Sequence, residues 1–445
     1  MLPAVDDVPG LCPVRDLKPA IETLRMSGRA TILFLPILLA AAAIAASAIS
    51  ALPARAAPDD PIAKVLQGRA SEWQDGFDTG SVAAAEVRTA VPIMSTDTVV
   101  AVQYAIQAYA DIVARGGWPV VPADKVLRLG MRDPNVEVLR QRLIVSGDLA
   151  YSVGASGAFD TYVEAAVKRF QSRHGIPPDG MVGASTFAAL NIPASVRLGQ
   201  LSKNLDRLKE LTAKPVDRFV MVNIPAARVE AVEGGRVVSR HNAVVGRVDR
   251  PSPIVNSKIY EINFNPFWTV PASIIKKDLI PYMQKNPQYL TNQKIRIYDK
   301  KGNEVPPSAI DWNTDEAVNY LYRQDPGEIN SMGSVKINFH SPDGVYMHDT
   351  PNKGLFVEDY RFDSSGCVRV ENIRELIIWL LRDTPGWGRE QVDYMFRSGE
   401  RLDAKLEVQV PVFFAYITAW ATPDGVVNFR DDIYNGDGLD QLALQ

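Results

Sequence analysis

Residues 219–245 read FVMVNIPAARVEAVEGGRVVSRHNAVV, and the pattern of this stretch decides the architecture. Aliphatic and aromatic side chains, valine above all, fill Phe219 to Ile224, Val229 to Val232 and Val237 to Val245, with Glu233-Gly234-Gly235 between the last two. Runs of this kind bounded by glycine are strands joined by a tight turn. Lys258 to Phe264 continues the pattern, so a mostly antiparallel sheet is expected from Asp217 onward. Residues 272–335 interrupt it with Pro281, Pro287, Pro306, Pro307 and Pro326 and read as a lid-like insertion. Strand character returns at Val335 to Phe339 and in the long apolar run Leu406 to Thr418, while Ile373, Leu376, Ile377 and Leu380 give Asn372 to Leu381 one helical face.

Upstream of Asp217 the texture is helical. Residues 193–216 contain a charged helical connector, Leu198 to Leu211. Within 125–192, Val136, Leu139 and Leu143 recur at i, i+3 and i+7, and Val163, Ala166, Val167 and Phe170 form a second helical face. Gly154 to Asp160 and His174 to Gly180 supply the breakers before a short helix ending near Leu190. Residues 57–124 read as further helices, interrupted at Gly116-Gly117-Trp118-Pro119. The expected class is α+β: a helical module, then a β-rich domain over 217–421 with the insertion 272–335, and a tail over 422–445.

Residues 1–56 read as a leader. Thr31 to Leu52 carries no charge, follows Arg25 and Arg29, and ends before Ala54-Arg55-Ala56, the order of a secretory signal. Cleavage is expected in preference to retention as an anchor, so membrane contact is expected only if the segment stays uncleaved. Met26 is a candidate start, because from there the signal has ordinary proportions. Over all 445 residues, 46% are apolar, 22% charged and 8% aromatic, with a net charge of −4. That balance suits folded domains and offers no basic field for a nucleic acid.

Cys12 falls in the leader, leaving Cys367 as the one thiol of the exported chain, without an internal disulfide partner. It stands in Ser364-Ser365-Gly366-Cys367-Val368-Arg369-Val370, nineteen residues after His348 in Val345-Tyr346-Met347-His348-Asp349-Thr350-Pro351. A thiol nucleophile needs a base, a group to orient that base, and N–H donors for the oxyanion. On a strand, Tyr346 and His348 share one face, so both can look into one cleft. The N–H groups of Gly366 and Cys367 are the candidate oxyanion donors, and the helix beginning near Asn372 is expected to favour a thiolate mildly. His340 competes as base, whereas His174 and His241 read as surface or packing residues. No His-Glu-x-x-His or Cys-x-x-Cys spacing is present, so no metal is expected.

These residues resemble the L,D-transpeptidase family with the YkuD-type catalytic domain, whose mark is a histidine followed by Ser/Thr-x-Gly-Cys-x-Arg, here ending at Arg369. Asn265 to Pro271, Gln324 to Gly327, and Pro411 through Trp420 look like its large Gram-negative periplasmic members. The string Leu129-Gly130, Val136, Leu139-Arg140, Leu143, Gly147, Phe159, Phe170-Gln171, Gly175, Asp179-Gly180, Val182-Gly183 and Thr186 resembles the peptidoglycan-binding domain of cell-wall enzymes. One departure is Phe339-His340-Ser341-Pro342-Asp343, where members often have Phe-Pro-Asn. The resemblance implies Cys367 as acylated nucleophile, His348 as its base and the Asp349 carbonyl as orienter of the imidazole. Tyr346, Ser365, Arg369 and Trp268 are the candidate substrate-binding residues, with sheet packing or site structuring as the other reading of Trp268, Tyr346 and Arg369.

The implied reaction is periplasmic acyl transfer on peptidoglycan stem peptides without a cofactor. A stem tetrapeptide forms a thioester with loss of D-Ala, and a neighbouring stem's amine resolves it into a 3→3 cross-link. Carbapenem-type inhibitors are expected to acylate the same thiol. An L,D-carboxypeptidase, with water replacing the amine, and a non-catalytic wall-binding scaffold are the alternatives.

Overall fold

A computed structural model describes residues 89–154 and 156–439. The leader, its signal segment and residues 57–88 lie outside the described residues. Among those described, no helix is long and apolar enough to cross a membrane.

Helix α1, Thr96–Ala114, opens on Ser95, whose hydroxyl accepts from the Thr98 amide at 3.1 Å. Helices α2 (Pro134–Val145), α3 (Thr161–Arg173) and α4 (Ala184–Leu190) make the helical module around Val136, Leu139, Leu143, Val163, Val167 and Phe170, the two faces that the periodicity predicts. Asp133 and Asp160 cap α2 and α3 through their carboxylates, satisfying first-turn N–H groups. The Gln171 carboxamide gathers the chain beyond α3. It donates to Asp179 Oδ1, the Met181 carbonyl and Thr186 Oγ1, and accepts from the Gly180 amide. Several residues that carry the resemblance in this module are therefore its internal fasteners.

Helix α5, Ala194–Thr212, does more than connect. Leu201 and Leu208 are buried with Phe219, Met221 and Phe413, and α5 lies along α1 against the sheet.

The strands in chain order are β1 (Arg218–Asn223), β2 (Arg228–Glu233), β3 (Arg236–Gly246), β4 (Val255–Phe264), β5 (Trp268–Thr269), β6 (Ile295–Tyr298), β7 (Glu304–Val305), β8 (Leu321–Gln324), β9 (Val335–Phe339), β10 (Met347–His348), β11 (Phe362–Ser364), β12 (Val368–Val370), β13 (Leu402–Ala415), β14 (Ala419–Ala421) and β15 (Val427–Phe429). Nine of them form one sheet in the order β11-β3-β12-β10-β9-β4-β13-β1-β2, and β2 also pairs with β3, which closes the ring into a barrel-like sheet. Pairing is mostly antiparallel, with β1 on β13, β10 on β12 and β11 on β3 parallel.

Alternation sorts the side chains. Val220, Val222, Ile262, Ile337, Met347, Val368, Val370 and Val412 enclose the main core, to which helix α6, Ile373–Leu381, adds Leu376, Ile377 and Leu380. Helix α7, Arg389–Ser398, for which the sequence reading has no counterpart, adds Val392 and Met395. The interruption between β4 and β9 folds on its own core of Ile275, Leu279, Leu290, Ile297 and Tyr322, with a small sheet β5-β8-β6-β7. It forms a cap.

Residues 422–439 are not a loose tail. Strand β15 pairs with β14 and sets Phe429 beside Tyr109 and His174. Arg173 donates to the Val427 carbonyl and Arg430 to the Arg173 carbonyl, both at 3.1 Å, so this strap fastens the helical module to the barrel.

Burial of Leu208 sets a test of α5 as core. Leu208→Ala should cost about 2–5 kcal/mol in urea unfolding, while exposed Lys209→Ala should stay within about 0.5 kcal/mol. A freely hinged connector would leave both silent.

Candidate active site

Strand β10 is only two residues long, yet it sits between two partners. Met347 pairs with Val368 of β12 and Ile337 of β9, and His348 with Arg369 and Lys336. The Val368 amide donates to the Tyr346 carbonyl at 3.0 Å, extending the β10–β12 register so that Tyr346 lies across from Cys367. Since Met347, Val368 and Ile337 point into the core, Tyr346, His348, Lys336 and Arg369 stand together on the opposite, outer face. The structure thus brings Cys367 and His348 to neighbouring strands on one surface.

Cys367 is half-buried at the mouth of β12. Gly366 before it adopts φ +112°, a conformation that a side chain would strain, and this turn presents the thiol. The loop is closely fastened: Ser364 Oγ accepts from the Gly366 amide at 3.1 Å and donates to the Cys367 carbonyl at 2.5 Å. Ser252 Oγ donates to the Gly366 carbonyl at 2.7 Å. The Gly366 N–H is consumed by Ser364, so as an oxyanion donor it is spoken for. The Cys367 N–H is trans to the Gly366 carbonyl that Ser252 holds, and so points to the opposite side.

The expectation that a helix N-terminus supports the thiolate fails. Strand β12 lies between Cys367 and α6, putting about 10 Å of extended chain between them, and a helix dipole fades within its first turn.

Burial pushes the Cys367 thiol up, against the pull of the Tyr346 amide and hydroxyl, Lys336 and Arg369. His348 is buried and pushed down to about 3, first by desolvation and then by Arg369, with the Asp349 main chain acting in the opposite sense. The resting pair is therefore a neutral thiol beside a neutral imidazole. The Asp349 carboxylate is turned away, accepting from the Ser334 amide at 3.1 Å and binding Lys353. Only its main chain is left to favour the imidazolium, the sense expected of an accepting carbonyl. Nδ1 of His348 has no hydrogen bond of normal geometry.

Tyr346 stacks edge-on against His348, with ring centroids 5.5 Å apart. The Trp268 indole lies beside its hydroxyl and favours the ionised phenol, against the upward push of burial and the nearby thiol. Through Trp268, on β5, the cap reaches the site. Arg369 lies 3.9 Å from Asp363, a loose pair, and faces the thiol and the imidazole. Ser365 is exposed and its hydroxyl accepts from Arg250 at 3.0 Å, which ties it to the neighbouring loop.

Lys336 escaped the sequence reading. Its Nζ lies 4.4 Å from the Tyr346 ring centroid, it opposes His348 across the ladder, and no carboxylate stands within ion-pair distance of it among the described residues. The alternation Val335-Lys336-Ile337-Asn338-Phe339 marks a polar face, but only the pairing shows what that face meets.

The other histidines fall away. His340 is exposed and stacked on Tyr260 at 4.8 Å, just past the end of β9 and four residues from Lys336, about 13 Å of extended chain from the ladder position of His348. His174 is buried between Phe170 and Phe429, and His241 between Ser239 and the Glu371 carbonyl. No group of His, Cys, Asp and Glu suited to a metal occurs among the described residues.

Residues 217–387 match the family described as L,D-transpeptidase catalytic domain, YkuD. Residues 132–190 match the family described as "Putative peptidoglycan binding domain". A Haemophilus influenzae protein named "Putative L,D-transpeptidase" is 35% identical over 245 residues, 55% of this chain and 49% of that protein. The chain thus spans about half the length of the curated relative it matches. Among solved structures, an L,D-transpeptidase from Xylanimonas cellulosilytica is 18% identical, covering 66% of this chain and 99% of that one at a TM-score of 0.21. One from Stackebrandtia nassauensis is 15% identical, covering 67% and 96% at 0.24. Overlays this loose say nothing about the chemistry of the site.

Two measurements probe the electrostatics. Between pH 6.5 and about 3 the unfolded chain takes up a proton at residue 348 that the folded chain refuses, so stability should fall as pH drops through that window. Urea unfolding of His348→Gln at pH 7 and pH 4.5 should show a smaller loss than the unmodified protein. Lys336→Met should move the pH profile of Cys367 alkylation upward, with Lys336→Arg close to the original; an unmoved profile would remove Lys336 from the thiol's surroundings.

Proposed function

We propose that this chain, which carries a YkuD-type L,D-transpeptidase catalytic domain preceded by a domain of the peptidoglycan-binding family, forms 3→3 cross-links between stem peptides through a thioester on Cys367. The observation that carries the reading is the β10–β12 register, which seats His348 and Cys367 on one outer face, with Trp268 of the cap beside Tyr346.

The chemistry follows from the neutral pair. A thiol held above its ordinary range and an imidazole near 3 store no thiolate, so deprotonation accompanies attack. Cys367 sulfur adds to the carbonyl between the diamino acid and the terminal D-Ala as its proton passes to His348 Nε2. The Cys367 N–H stabilises the oxyanion. Collapse expels D-Ala, whose amine takes the proton from His348. An acceptor amine, deprotonated by His348, then attacks the thioester, and the thiol is restored.

Lys336 and Arg369 give the cleft a positive face that suits carboxylate-bearing stem peptides and holds off the imidazolium until negative charge develops nearby. The apolar run Thr31 to Leu52 supports export to the periplasm, where those substrates lie.

Residues 57–445 incubated with disaccharide-tetrapeptide should give dimer with loss of one D-Ala by mass spectrometry, and Cys367→Ala should give none. Tripeptide without dimer would assign a carboxypeptidase, and no turnover by either protein would favour a wall-binding scaffold. A carbapenem should add one adduct mass to the unmodified protein and none to Cys367→Ala.

A further inference from the structure

The loop that joins β3 to β4 touches three parts of the molecule at once. It is itself tightly built: a side chain at Gly246 would collide with the Arg250 and Ser252 backbone. The Tyr434 hydroxyl, on the C-terminal strap, donates to the Gly246 carbonyl. The Arg247 amide donates to the Ser364 carbonyl at 3.0 Å, and Ser252 Oγ holds the Gly366 carbonyl, so the nucleophile loop leans on this one support along most of its length.

Arg250 adds a connection of another kind. Its Nη1 and Nη2 fork onto Asp278 Oδ2 and Oδ1 at 2.5 and 2.9 Å, and the same Nη1 donates to Ser365 Oγ at 3.0 Å. Asp278 belongs to the cap, in the π-helical turn Ile275–Leu279 whose Ile275 and Leu279 are rooted in the cap's own core. Ser365 belongs to the nucleophile loop, two residues before Cys367. One planar guanidinium thus holds a rigid point of the cap and a point of the loop at the same nitrogen. An exposed ion pair contributes little, but here the Arg250 side chain is 11% exposed and the geometry is bidentate, the arrangement in which arginine is not replaceable by lysine.

We propose that Arg250 is a positioning residue that couples the seating of the cap to the geometry of the loop presenting Cys367. The coupling rests on reading Cys367 as the nucleophile, and it gives the cap a task at the nucleophile loop. When the cap is seated, Asp278 fixes the guanidinium and the guanidinium fixes Ser365. When the cap lifts, the fork is lost, Asp249 at 3.6 Å is the nearest remaining carboxylate, and Ser365 is released next to the positive-φ Gly366. A donor peptide that seats the cap would thereby order the N–H donor of Cys367 at the moment of use.

The test is amide hydrogen exchange on the full chain, read at residues 272–292 and 364–368, for the unmodified protein, Asp278→Asn, Arg250→Lys and Ser365→Ala. Asp278→Asn and Arg250→Lys should each raise exchange in both segments by about threefold or more, and Ser365→Ala should raise it only at 364–368. With tetrapeptide, Asp278→Asn should lower kcat about tenfold as well as raise KM, the split expected when a remote group orders the reacting one. Faster exchange in the cap with an unchanged 364–368 segment would overturn the coupling and leave a simple latch, and no change in either segment would overturn both. Exchange does not depend on turnover. An inactive unmodified protein would therefore count against the proposed reaction, while the two segments still decide the coupling.

Discussion

A single short ladder holds the candidate site: Met347 against Val368, with His348 beside Arg369. Side chains alternate along a strand, so a slip of one residue in this pairing would turn His348 into the core and Met347 out to solvent. The register is protected by what lies beneath it. Met347, Val368, Val370 and Ile337 are all fully buried, and a one-residue slip would expose part of this set. The hydrophobic core of the barrel thus fixes which strands carry His348 and Cys367 and which way both residues face.

The same packing sets the electrostatics. Seating His348 between β9 and β12 strips it of water, and Lys336 and Arg369 share its face, Arg369 only loosely paired with Asp363. A buried imidazole in that company is held neutral, and burial likewise holds the thiol protonated.

The helical module and the barrel are joined by aromatic and arginine contacts rather than by a flexible tether. Arg173 is paired bidentately with Asp148 and reaches across to Val427, while Arg142 lies 3.7 Å over Trp118 and Arg197 4.5 Å over Phe429. Guanidinium groups can be buried on ring faces because they are weakly hydrated and keep part of their hydrogen bonding in the ring plane.

The sequence by itself determined the α+β class, the helical faces of α2 and α3, the strands from Phe219 onward, and the pairing of Cys367 with His348 as residue types. Those are local matters: periodicity, turn residues and a short motif around a lone thiol are written in consecutive positions. Tertiary structure alone decided that Lys336 belongs to the site, that Gly366 spends its N–H on Ser364, that helix α6 stands too far from the thiol to act on it, and that residues 193–216 and 422–439 are core and strap. Each of these depends on which strand lies beside which. Lys336 and Cys367 are thirty-one residues apart, and Phe429 meets His174 across more than half the chain. Propensity acts over a few residues, whereas the burial that selects one register sums over the whole barrel.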